Sequence, residues 1–171
     1  MPLTGFRPSL APNGPAQIVH NDGKLIVATW ERHLLSLWRS EITSVGVSIW
    51  TRCATDFGKQ LAGKKMNSFG YLEPEALFEG SEATFSATVD TLKRVESVVA
   101  AMVMVYPREG FWSAAMRGRL TAMFTESSCG VPYSVHPNVP EAIAWLGEHG
   151  PSDMNVSLMG LSAQFDALRM L

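Results

Sequence analysis

From residue 98 to residue 106 the chain runs for nine residues without a charge. That is too short to span a membrane and too rich in β-branched side chains for a helix. It predicts a strand covered on both faces, ended by Pro107. Such a strand needs helices above and below it, and the neighbouring periodicities supply them. Residues 17–20 and 24–31 flank Asn21-Asp22-Gly23, a hairpin signal because glycine accepts positive φ. Leu34, Leu35, Trp38, Ile42, Val45, Ile49, Cys53, Phe57 and Leu61 recur at three- and four-residue intervals and predict one helix within residues 34–62. Ser40 is one candidate cap for it, a start nearer Leu34 is the other, and Gly63 is its stop. Gly46 and Gly58 weaken that reading.

Residues 67–72 predict a short strand, and Phe85, Val89, Leu92 and Val95 a helix beginning at Pro74 or at Gly80-Ser81. Residues 111–126 predict a third helix stopped by Ser127-Ser128-Cys129-Gly130, and residues 131–135 a further strand. Asn138 caps a compact last helix over residues 140–146. The organisation expected is an extended arm over residues 1–15, rich in Pro and Gly, then one α/β domain over 16–150. An amphipathic segment over 151–171 follows and needs a surface to cover. The fold class is α/β: a mixed, mostly parallel sheet opened by a hairpin, with helices packed on its faces and residues 98–106 at its centre.

Composition narrows the partners. At 171 residues with 46% hydrophobic and 18% charged side chains, the chain can bury one full core. A net charge of −2 gives no footprint for nucleic acid or an anionic membrane. Cys53 and Cys129 are the only cysteines, and the N-terminus lacks a signal-peptide pattern, so a cytoplasmic location with free, buried thiols is expected.

The order β-β-α-β-α-β-α-β-α resembles the anti-sigma-factor-antagonist (STAS) fold and its SpoIIAA-like relatives. The likeness is carried by the hairpin at Asp22-Gly23, the strand at 98–106, the Glu109-Gly110-Phe111 turn and the ending Val139-Pro140-Glu141-Ala142-Ile143-Ala144-Trp145-Leu146. It spans roughly residues 16 to 147. The resemblance implies a switch serine after the middle strand. This chain instead reads Tyr71-Leu72-Glu73-Pro74-Glu75 there, with carboxylates where a phosphate would have added charge.

Candidate chemistry is sparse. His20, His33, His136 and His149 show no metal-ligand spacing. Glu73 and Glu75 can be read as an acid and base pair, or more simply as carboxylates favoured at a helix start. Ser127-Ser128-Cys129 with His136 lacks a motif that orients a base. Arg108, Arg117 and Arg119 gather near a turn and suggest either anion binding or a solvated face. Met66, Met102, Met104, Met116 and Met123 fall on elements that converge in such a fold, where methionine fills core gaps or lines an apolar pocket.

The function expected is therefore a non-enzymatic regulatory module that works by protein contact, with no catalytic residue, metal or cofactor. Its interaction or pocket candidates are Tyr71, Glu73, Glu75, Arg108, Phe111, Trp112, Met116, Leu161 and Phe165. The alternative is a binder of a small apolar or lipid-like ligand in a Met- and aromatic-lined cavity, and an enzyme comes third. Self-association as a homodimer is expected from the apolar tail, with Leu161 and Phe165 covered only in the pair.

Overall fold

The computed structural model describes residues 14–76, 80–154 and 158–171; most of the predicted arm, residues 1–13, lies outside them. Among the described residues the chain forms one six-stranded sheet, five α-helices and a short 3-10 turn at Ser152–Met154. The strands are β1 (Gln17–Asn21), β2 (Leu25–Trp30), β3 (His33–Trp38), β4 (Met66–Leu72), β5 (Val99–Val105) and β6 (Tyr133–His136). The helices are α1 (Ser44–Gln60), α2 (Glu82–Val95), α3 (Phe111–Ser127), α4 (Val139–His149) and α5 (Leu161–Arg169).

The strands lie in sequence order, β1 to β6; β1, β2 and β3 pair antiparallel, while β3, β4, β5 and β6 pair parallel. Because right-handed crossovers that step in one direction leave every connecting helix on the same side, α1, α2 and α3 share one face of the sheet. Past β6 the chain turns under, and α4 and α5 cover the other face. The two cores alternate along each strand: Leu34 and Trp38 face α1, whereas Leu35 and Leu37 face α5.

The opening hairpin forms as expected, with Gly23 at φ +82° and the Asp22 carboxylate accepting from the Lys24 and Leu25 amides at 2.9 and 2.8 Å. The backbone bonds, with that of Leu25 foremost, hold the Asp22 carboxyl below the usual range. The expected first helix is corrected. Leu34, Leu35 and Trp38 belong to β3, a strand buried throughout, and α1 begins at Ser44, past both expected starts; its cap is Thr43 and not Ser40, the Thr43 side chain accepting from the Gly46 amide at 3.2 Å. The turn into β3 has no glycine; Glu31 occupies the left-handed region at φ 52°. Gly58 is required by packing, since a Cβ there would stand 2.6 Å from a Val98 methyl.

The helix after β4 starts at the later of its two expected sites, where Ser81 accepts from the Thr84 amide at 3.2 Å. Asn138 caps α4 as read, accepting from the Glu141 amide at 2.9 Å. The charge-free strand is interior but not central: β5 lies one strand from the β6 edge. Its coverage is also uneven. Ala101, Val103 and Val105 are buried toward α4, while Met102 and Met104, facing the three-helix layer, are only half-buried.

The tail corrects a second expectation. Leu161 and Phe165 are fully buried within the single chain, Phe165 lying 4.5 Å from Phe69, ring to ring. Intramolecular docking of α5, not a partner copy, covers them. No helix among the described residues is long and apolar enough to cross a membrane.

Candidate functional site

The half-buried methionines mark the site. Between the sheet and the α1–α2–α3 layer lies a partly open cavity of about 70 Å³. Its floor is three strands wide: Ser36 and Trp38 from β3, Ser68 and Gly70 from β4, Met102 and Met104 from β5. Its walls are Ile42 and, from α1, Val47 and Trp50; from α2, Thr88, Thr91 and Leu92; from α3, Leu120 and Phe124.

The floor explains the space. Ser36, Ser68 and Gly70 sit where the sequence alternation calls for large apolar residues facing the helices, and they leave room instead. Gly70 lies opposite Ser36 in the parallel register, and a Cβ on it would stand 3.3 Å from the Ser36 Oγ and 3.7 Å from the Met104 Cε. Helix α3 turns one stripe, Met116, Leu120, Met123 and Phe124, to the core, with Leu120 and Phe124 reaching the cavity, and leaves Phe111 and Trp112 exposed at its head.

None of the lining residues is charged or a histidine, so the cavity supplies neither a counter-charge nor an acid–base pair. Its polar atoms are hydroxyls, and they divide into two kinds. Those of the walls are satisfied within the protein: Thr88 donates to the Thr84 carbonyl at 2.9 Å, and Thr91 shares a hydrogen bond with Thr51, which can also donate to the Val47 carbonyl at 2.7 Å. Those of the floor are not. Ser36 and Ser68 are 2% and 3% exposed as residues, and among the described residues neither hydroxyl is hydrogen-bonded within the protein, although neither oxygen is wholly closed off from solvent-sized space.

The residues singled out from sequence separate into four places. Tyr71, Leu161 and Phe165 lie in the core on the far face, where the Arg169 guanidinium covers the Tyr71 ring at 4.9 Å. Burial, only partly opposed by Arg169, holds the Tyr71 hydroxyl above its ordinary pKa. Glu73 lies half-buried and Glu75 exposed in the loop after β4. Met116 is buried in the near core. Arg108, Phe111 and Trp112 form an exposed group at the head of α3, the guanidinium 4.9 Å above the indole, with Phe111 76% and Trp112 46% exposed. Of the methionines expected to converge, Met102 and Met104 line the cavity, while Met66, Met116 and Met123 fill the core. Sequence reasoning did not single out Ser36, Ser68 or Gly70; the signal for them is small and polar residues interrupting strands whose neighbours are large.

The remaining candidate chemistry resolves into structure. Ser127 Oγ donates to the Phe124 carbonyl at 3.0 Å and accepts from the Cys129 amide at 3.2 Å, a helix stop. Cys53 and Cys129 are free thiols, both pushed up in pKa by burial. A larger surface groove between α1 and α2 carries Arg52, Asp56, Lys59, Asp90 and Arg94, charges of both signs open to solvent. Among the described residues no three His, Cys, Asp or Glu side chains gather as a metal site. Compared with protein-family models, curated proteins and solved structures, the chain matches none of them.

Proposed function

We propose that this chain is a non-enzymatic α/β binding module, built on a STAS-like scaffold, that holds a small apolar molecule between its sheet and the α1–α2–α3 layer. The observation that carries this reading is the cavity itself. Empty apolar space within a core costs stability, by cavity terms and lost dispersion contacts, and is tolerated where a ligand fills it. Its lining of Trp38, Trp50, Phe124, Met102 and Met104 suits an occupant of adjustable shape, because methionine side chains re-pack at little cost.

A second reading, action through protein contact, is favoured by one observation, the solvent-exposed Phe111–Trp112 pair beneath Arg108. The two are compatible, since α3 supplies both the exposed aromatics and a wall of the cavity.

The test of the leading reading is a panel of neutral molecules of about 4 to 8 non-hydrogen atoms, from the size that fills the cavity as it stands up to a single ring that needs Met102 and Met104 to re-pack, titrated against the native chain and against Gly70→Ala. The expected result is saturable one-to-one binding by some members, weakened in the variant, whose added methyl occupies cavity space next to Ser36 and Met104. If no member binds saturably, or binding is indifferent to Gly70→Ala, the cavity is not the site.

A further inference from the structure

We propose that Ser36 and Ser68 are the polar anchor of this cavity, and that its ligand is an uncharged amphiphile with an apolar body of single-ring or short-chain size and one hydroxyl or carbonyl directed at the sheet. The inference rests on the binding reading above and deepens it.

The starting point is an imbalance. A hydroxyl removed from water without a partner costs about 1 to 3 kcal/mol, and buried polar groups in folded proteins are accordingly almost always paired. Here the wall hydroxyls obey that rule, whereas the two floor hydroxyls have no partner within the protein and their oxygens keep some accessible surface, as groups that face open space do. Both point to the same side of the sheet. Ser36 is opposite Gly70 and Ser68 is opposite Leu34 and Met102, so the two serines are diagonal neighbours on adjacent parallel strands, facing one cavity.

Two serine hydroxyls can each donate or accept. A ligand hydroxyl can donate to one and accept from the other, and a ligand carbonyl can accept from both. An ionised head is excluded by the lack of any opposite charge in the lining. Body size follows from volume: about 70 Å³ of free space corresponds to roughly five water-sized positions, and a single ring requires Met102 and Met104 to re-pack, which methionine side chains do at little cost.

The probes are p-cresol and toluene, which share a body and differ in the hydroxyl. The protein is the full chain with its methionine methyls isotopically labelled, so that the Met102 and Met104 signals report occupancy; it is compared with Ser36→Ala, Ser68→Ala and the double variant. We expect both probes to shift those methyls and p-cresol to bind at least about threefold more tightly, the margin of one net hydrogen bond. In the double variant that preference should vanish through loss of p-cresol affinity alone, while the ligand-free variant unfolds at a urea concentration equal to or above that of the native chain. Equal binding of the two probes by the native chain, or a preference that survives in the double variant, overturns the anchor and leaves the cavity reading standing. A double variant that is destabilised and loses both probes makes the serines structural and also overturns it. Binding of neither probe to the native chain removes both the anchor and the cavity reading.

Discussion

His33 is fully buried near the start of β3, stacked 6.0 Å from the Trp30 ring. Burial, reinforced by the neighbouring Arg32 charge, lowers its pKa from 6.5 to about 3, so the folded protein holds it as neutral imidazole. Between those two values the unfolded chain binds a proton that the folded chain does not. Stability therefore rises with pH across that window and is lost as pH falls from 6.5 toward 3, with a limiting slope of about 1.4 kcal/mol per pH unit from this group. His33→Gln, which cannot titrate, should unfold in urea with a visibly flatter dependence on pH between 6 and 4. Coincident pH dependences for the two proteins would show that His33 is protonated without cost. The same logic of buried polar groups separates His33 from Ser36 and Ser68. The histidine sits within closely packed core, while the serines face open space.

At the scale of elements, β3 shows where sequence pattern stops. Leu34, Leu35 and Trp38 satisfy a helical spacing and a strand of alternating faces equally well, and the deciding feature is the turn before them. That turn is made by Glu31 at φ 52°, a residue type that gives no turn signal, so the third antiparallel strand was hidden behind an ordinary glutamate. Asp22-Gly23, Ser81 and Asn138 were legible because their side chains or lack of one carry the turn or cap directly. The site was half legible. Met102 and Met104 could be placed on a common surface, but the space in front of them depends on Ser36, Ser68 and Gly70 from strands whose register no local pattern fixes. A prediction follows for the hidden turn. Left-handed backbone strains a non-glycine residue, so Glu31→Gly should relieve the β2–β3 hairpin by roughly 0.5 to 1 kcal/mol after the entropy of the freer unfolded chain is subtracted. A higher urea midpoint at unchanged slope is the expected result, and a lower midpoint would place the side chain of Glu31 in a stabilising role.

Over the whole molecule, the unequal treatment of the two sheet faces organises everything else. The α4–α5 face is closed: Phe165 packs between Phe69 and Tyr71, the Arg39 guanidinium donates to the Arg169 carbonyl at 3.1 Å, and the Gln164 side chain accepts from the Ala16 amide at 2.7 Å. The Arg32–Asp153 pair at 2.6 Å fixes the chain as it enters this layer. The opposite face keeps a gap. Closure on one side holds the strands in register and lets the other side remain under-filled without the sheet losing its order. A chain ending at Pro151 should therefore expose Leu35, Leu37, Phe69 and Tyr71 together, and either self-associate in light scattering or lose a sharp unfolding transition. Phe165→Ala in the full-length chain should lower stability by about 3 to 5 kcal/mol, the cost of removing a fully buried phenylalanine. If the shortened chain instead stays monomeric and unfolds at an unchanged midpoint, α5 is an appendage and not a layer of the fold. A full-length dimer that persists after the tail is removed would put the contact between copies elsewhere, with the exposed Phe111–Trp112 head of α3 as the first place to look.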